Sequence, residues 1–228
     1  MYGPKIQLKF SRRDPFGEKK GEEISLELRP PKDEQLLAKL YTEWINDNRV
    51  RLYLSTPIPC TESYELGFVK DQCSKEGKTM WIIYCGDQAI GNVGINGIDL
   101  VNKRAELGIM IGDKSFWGKG IASAVEATVL EYGFSNIVAG GLNKISAGVL
   151  TGNIASQKAL EKVGFAKCSL KKQEYWFQGK WFDLWEGEIL QSKWKKVRKQ
   201  VFERVGITEL SLYPGCEEEG YEPVVIKQ

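Results

Sequence analysis

Histidine is absent from the 228 residues. That absence removes Ser–His and Cys–His nucleophilic pairs and every histidine-based zinc site, so proton transfer in this chain must fall to other groups. Cysteine is scarce and scattered. Cys60, Cys73, Cys85, Cys168 and Cys216 are odd in number and form no C-x-x-C pair, which suits reduced, core-filling thiols better than a disulfide framework. No apolar run approaches the roughly 18 residues that a membrane span needs. The N-terminal stretch MYGPKIQLKFSRRDPFGEKKGEE alternates polar and apolar residues and then fills with charge, unlike an export signal, so a cytoplasmic protein with no membrane partner is expected. Excess charge is missing too: 32 basic against 30 acidic side chains leave +2. That is too little for bulk attraction to nucleic acid or membrane, and any basic site must be local.

What the chain does have is core. Hydrophobic residues make up 42% and aromatics 11%, enough to fill the interior of one generous domain. KIQLKF (5–10) and EISLELR (23–29) alternate as strands around a Gly- and charge-rich turn. From Asp33, placed as a cap, Leu36, Leu37, Leu40, Tyr41, Trp44 and Ile45 recur at helical spacing. A weaker helix follows Thr61. MWIIYC (80–85), QAIGNVGING (88–97) and RAELGIMIG (104–112) then read as three successive antiparallel strands. A helix over 119–134, a strand KISAGVL (144–150), a helix in NIASQKALEKVGF and a hairpin of KQEYWFQ and KWFDLWEGEIL about Gly179 complete a mixed, mostly antiparallel sheet with helices, class α+β. The spacing predicts one domain over 1–190, with its core at about 23–190. Residues 191–228 follow as a basic helix and an acidic, loose tail.

The stretch ELGIMIGDKSFWGKGIASAVEATVLEYGF (106–134) delivers a strand into a glycine loop and then a helix. Its spacing is not G-x-x-x-x-G-K-[ST], since Gly112 lies one residue too far from Gly118 and Gly120 stands where a magnesium-binding hydroxyl belongs. Nor is it G-x-G-x-x-G, because Ser123 replaces the third glycine and no carboxylate lies near Gly140 and Gly141. The remaining arrangement sets the backbone N–H groups of Phe116, Trp117, Gly118, Lys119, Gly120, Ile121 and Ala122 around a pyrophosphate at a helix N-terminus.

SFWGKGIA after a strand, with NIASQKALEKVGF about thirty residues on, resembles the GNAT superfamily of acetyl-CoA-dependent N-acetyltransferases, most of all its ribosomal-protein (RimJ/RimL-type) branch. The resemblance implies a GNAT-like fold with a splayed central strand pair and acetyl-CoA as the acetyl donor, its pyrophosphate on the glycine loop. It implies that the backbone of Ile109, Met110 and Ile111 pairs with the amides of the pantetheine arm, which Asn153 also bonds. Many family members carry a tyrosine acid seven residues after that asparagine; this chain has Leu160 there. The resemblance then assigns the thiolate contact to Ser156, a residue whose ordinary alternative is a helix-start hydroxyl bonding the backbone. Glu106, on the splayed strand, is the candidate base, its alternative being a rim carboxylate near Arg104. No metal and no covalent enzyme intermediate is implied.

The implied activity is direct attack of a primary amine on acetyl-CoA in a ternary complex, the acceptor being a protein N-terminus or a small-molecule amine. Two readings compete with it: a catalytically silent CoA-binding regulatory protein, and a ribosome- or RNA-associated module that uses the basic helix. Lys114, Lys119, Lys158 and Lys162 are candidates for cofactor phosphates. Tyr175, Trp176, Phe177, Trp181, Phe182 and Trp185 read first as hairpin packing, and second as the lining of an acceptor groove.

Overall fold

The computed structural model describes residues 3–13, 20–54, 59–74, 77–137, 139–177, 179–212 and 224–227. The elements are β1 (Ile6–Arg13), β2 (Lys20–Arg29), α1 (Glu34–Asn46), α2 (Asn48–Arg51), α3 (Glu62–Ser74), β3 (Thr79–Cys85), β4 (Gln88–Asp99), β5 (Arg104–Ile111), α4 (Ile121–Ser135), β6 (Lys144–Leu150), α5 (Ile154–Lys162), β7 (Ala166–Phe177), β8 (Lys180–Leu190), α6 (Gln191–Val205), β9 (Ile207–Leu212) and β10 (Val224–Lys227). Among the described residues, the strands form a single ten-stranded sheet in the order β10-β9-β1-β2-β3-β4-β5-β6-β8-β7. Every neighbouring pair is antiparallel except β5 and β6. That parallel pair requires a crossover, and α4 supplies it.

Strand periodicity decides which residue serves which face. In β3, Trp81 and Ile83 join a large cluster with β1, β2 and α4, whereas Met80 and Ile82 join a smaller one with Leu37, Tyr41, Trp44 and Ile45 of α1. Both faces are covered, which is why β3 reads as a continuous apolar run. The Asp33 side chain caps α1 by accepting from Leu36 N–H at 2.9 Å. Leu36 itself, expected on the buried stripe, is exposed. The expected turn between β1 and β2 falls on residues 14–19, outside the described residues.

The mixed, mostly antiparallel sheet is as expected. The chain beyond residue 190 packs onto the same sheet and core. Helix α6 packs Trp194, Val201, Phe202 and Val205 inward and leaves Lys193, Lys195, Lys196 and Lys199 exposed. The Trp194 indole N–H donates to Glu131 of α4 at 2.8 Å, and Arg198 pairs with the same carboxylate. Gly206 ends the helix, and β9 then pairs with β1, from Ile6 with Leu212 to Phe10 with Ile207. The acidic stretch 213–223 lies outside the described residues. The core-filling role expected of most cysteines fits two of the three whose side chains are described. Cys60 and Cys85 are half-buried, packed against the smaller and the larger core cluster respectively, and Cys168 is exposed; the side chains of Cys73 and Cys216 lie outside the described residues.

Trp194 therefore both fills core and holds a buried carboxylate. Trp194→Ala is expected to lower stability by about 3–5 kcal/mol, read as a fall in the urea midpoint at unchanged m-value. A midpoint like that of the wild type would show that α6 is not part of the cooperative core.

Candidate functional site

Two strands with different loyalties create the site. β5 and β6 pair only at Arg104–Lys144, Ala105–Ile145 and Glu106–Ser146. Beyond Glu106, β5 stays paired to β4 as far as Ile111 opposite Gly91, and β6 stays paired to β8 as far as Leu150 opposite Leu184. Each strand follows its outer neighbour, and a gap opens between them. The Ser146 hydroxyl donates to the Ala105 carbonyl at 3.3 Å, which fixes the side of β5 that Ala105 addresses. By alternation, Leu107, Ile109 and Ile111 turn their backbone groups to the same side, into the gap, while Met110 turns its own to β4. The expectation of a free backbone at Ile109 and Ile111 fits this geometry; at Met110 it does not, and Met110 packs instead against the α1 cluster. The indole N–H of Trp117 donates to the Ile111 carbonyl at 2.7 Å and closes the upper end.

The glycine loop leaves β5 through Gly112 and Asp113, whose N–H groups both donate to the Ile90 carbonyl. A 3₁₀ turn at Lys114–Phe116 follows, with Asp113 as its cap. This turn consumes two donors assigned from sequence to a pyrophosphate: Phe116 N–H donates to the Asp113 carbonyl and Trp117 N–H to that of Lys114. The available run is therefore shorter and later. Gly118 and Gly120 adopt φ of +72° and +84°, a region open to glycine at little cost. A Cβ on Gly118 would meet nothing within 4 Å inside the protein. Helix α4 begins at Gly120 without a side-chain cap. Among the described residues the N–H groups of Lys119, Gly120, Ile121, Ala122 and Ser123 have no acceptor, which makes this end a cradle for an anion. Lys114 pairs with Asp47 and Lys119 lies over the Phe116 ring, 4.8 Å from its centroid.

The gap opens onto a cavity of about 450 Å³ that brings together Glu106, Ile109, Asn153, Ser156, Leu160 and Glu126. Glu106 is exposed at the last pair before the strands part. Arg104 pairs with Asp99 instead, so the rim-pairing alternative for Glu106 finds no partner among the described residues. The Asn153 side chain caps α5 by accepting from Ser156 N–H at 3.2 Å, which leaves its amide NH₂ for other use. The Ser156 hydroxyl makes no hydrogen bond among the described residues, so it is not tied to the backbone. Leu160 is buried in the cavity wall. A smaller cavity of about 280 Å³ between α1, α3 and β4 shares Leu54, Gly108 and Ile109 with the first. Of the hairpin aromatics, Phe177 and Trp185 are core, Tyr175 faces the larger cavity, and Trp176 and Trp181 form an exposed edge-to-face pair.

Glu126 was not singled out from the sequence. It is fully buried on α4, neither carboxylate oxygen has a partner, and it lines the cavity. Desolvation pushes its carboxyl well above the usual carboxylate range. A signal was present: Glu126 and Glu131 are the only charged residues of α4. Among the described residues no three His, Cys, Asp or Glu side chains gather to hold a metal, and no helix is long and apolar enough to cross a membrane.

An unpaired strand edge inside a sheet, leading from an uncapped helix N-terminus into a cavity, defines a receptor for a long ligand with an anionic head and a peptide-like arm. The chain belongs to the GNAT acetyltransferase family, whose domain matches residues 25–166. It is 34% identical over 108 residues to the uncharacterized N-acetyltransferase p20 of Bacillus licheniformis, a match covering 47% of this chain and 58% of p20. It is 26% identical over 183 residues to YdaF of Bacillus subtilis, provisionally named a ribosomal N-acetyltransferase, with 78% of this chain and 96% of YdaF covered. Among solved structures, RimJ of Mycobacterium smegmatis in complex with CoA-disulfide superposes with a TM-score of 0.69 at 18% identity, covering 89% of this chain and 96% of RimJ. The spermidine N-acetyltransferase of Vibrio cholerae in complex with CoA and spermine gives 0.67 at 21%, covering 75% and 98%.

Glu126 has a measurable signature. A carboxyl kept neutral in the fold supports stability fully at low pH and loses that support as pH rises through its folded pKa. Glu126→Gln, neutral at every pH, is therefore expected to gain in melting temperature relative to the wild type as pH rises from about 5 to 8. Parallel melting curves across that range would show that the carboxyl is not held neutral.

Proposed function

We propose that the protein transfers acetyl from acetyl-CoA to a primary amine by direct attack within a ternary complex. The parting of β5 from β6 into a cavity bearing a free carboxylate carries this reading. When bound, acetyl-CoA supplies an acetyl thioester. The N–H groups of Lys119 to Ala122 hold its pyrophosphate, and the gap-facing groups of Leu107 and Ile109 meet its arm as a neighbouring strand would. The Asn153 amide NH₂ is free to add a further bond to that arm. The thioester is thus fixed relative to Glu106 and Ser156, and positioning supplies much of the rate.

Glu106 takes a proton from the attacking nitrogen, directly or through one water. The need depends on the acceptor. A lysine-like amine is neutral in only about one molecule in 2,500 at pH 7, whereas an α-amino group is neutral in roughly a tenth. Ser156 has a hydroxyl free to donate to the sulfur as it leaves, at the place where Leu160 supplies no acid. The acceptor is a protein N-terminus or a small-molecule amine. In the solved relatives it is spermidine for the Vibrio enzyme, by its name.

A panel of amines read by release of free CoA thiol tests the reaction; binding of CoA without turnover on any amine would favour a regulatory CoA-binding protein. Gly118→Val and Gly120→Val are expected to weaken CoA binding by roughly tenfold or more in calorimetry, with the fold retained by circular dichroism. Unchanged affinity in both folded variants would remove the loop from the site. Glu106→Gln is expected to lower kcat by about 10²-fold or more, a defect that shrinks as rising pH supplies neutral amine. Ser156→Ala is expected to lower kcat without that rescue and with little loss of stability, because Asn153 is the helix cap. A Glu106→Gln enzyme with wild-type kcat at all pH values would take the carboxylate out of the mechanism.

A further inference from the structure

Helix α4 carries two buried carboxylates with opposite fates. Glu131 is satisfied, by the Trp194 indole and by Arg198. Glu126, five residues earlier, is wholly buried, and both of its oxygens lack a partner. A buried polar group left unpaired is costly, and an alanine or leucine would pack there without that cost. The residue lines the larger cavity with its oxygens covered, so a small turn of the side chain would bring them to whatever fills the cavity.

We propose that Glu126 is a binding residue for the arm of CoA, a neutral carboxylic acid that gives one hydrogen bond to, and takes one from, the amide groups of the pantetheine chain. The proposal rests on the reading of the cleft as a CoA site and adds to it a contact that the unpaired strand edge cannot make.

Three observations point this way. The first is depth. α4 joins the end of β5 to the start of the parallel β6 and so runs back along both. Glu126 lies six residues past Gly120, roughly 9 Å along the helix at 1.5 Å per residue. That is well beyond the N–H cradle and level with the chain that follows an anionic head. The second is chemistry. A protonated carboxyl offers one donor and at least one acceptor. A secondary amide is planar and trans, so its N–H and C=O point to opposite sides. Each amide that gives one group to the β5 edge leaves the other to be met elsewhere in the cleft, and Glu126 has both kinds of partner to offer.

The third is the absence of a competing cation. Lys144 on β6 is paired with Glu188 of β8 at 3.1 Å, and Glu186 of β8 takes Lys171 at 2.8 Å. Glu106 on β5 adds a further negative charge at the rim. Tyr53, which follows α2, and Cys168 and Tyr175 of β7 are the other titratable groups on the cavity wall. Burial pushes the Glu126 carboxyl well above the usual carboxylate range, toward the form in which it can donate.

Calorimetric titration with CoA alone, together with infrared difference spectra on adding CoA, tests the assignment in wild type, Glu126→Gln and Glu126→Leu. Glu126→Gln keeps a donor and an acceptor and is expected to bind within roughly threefold of wild type near neutral pH; Glu126→Leu is expected to lose about tenfold or more. With rising pH, the affinity of wild type is expected to fall relative to Glu126→Gln, in which all other titrating groups are unchanged. CoA is expected to shift a protonated-carboxyl C=O band that Glu126→Gln lacks. Wild-type affinity in a folded Glu126→Leu, or a carboxyl band indifferent to CoA, overturns the proposal while leaving the CoA site intact. Should Glu126→Leu not fold, the infrared band and the pH dependence of wild type against Glu126→Gln decide alone. A wild-type protein that binds no CoA overturns the reading of the cleft, and the proposal with it.

Discussion

β5 and β6 share three residue pairs and then part, and everything the cleft can do follows from that. Strands twist, and a pair held by different outer neighbours can separate only if each is anchored well enough to bear an unpaired edge. β4 anchors one through Ile111 and β8 the other through Leu150. An exposed edge on the rim of a sheet is a hazard for aggregation. Inside the sheet, walled by α4, α5 and the β7–β8 hairpin, the same edge is reachable only by a ligand thin enough to enter.

Without histidine, the chemistry is divided among groups that ordinarily play other parts. In the reaction proposed above, helix and loop N–H groups take the anionic head, strand backbone takes the arm, and proton transfer falls to a carboxylate. Glu106 lies exposed at the mouth, whereas burial on α4 pushes the Glu126 carboxyl up, toward keeping its proton. The same side chain serves two ends because the dielectric around it differs.

Strand and helix identity was legible where periodicity is local. The Asp33 cap, the β3–β4–β5 meander and the β8 segment Lys180–Leu190 lie where their patterns put them. The four-residue α2 and the 3₁₀ turn at Lys114–Phe116 are too short for a period to emerge. That turn is why Phe116 and Trp117, alike in sequence to the loop residues after them, have no N–H to spare. Glu126 escaped notice for another reason. A helical stripe of Ile121, Ala124, Val125, Thr128 and Val129 leaves position 126 to the polar face, but in the fold that face is buried as well. Strand β9 was invisible because its partner, β1, stands at the other end of the chain.

That last pairing also sets an order of events. Ile6 is bonded opposite Leu212 and Phe10 opposite Ile207, so β1 leaves the ribosome long before one of its two neighbours exists. Until some two hundred residues have emerged, one side of β1 has only solvent or another chain to bond, and contacts of such sequence separation form late. The β9 segment thus acts as a clasp on β1, and a ribosome that stops short of it releases a chain in which that edge of β1 is bare.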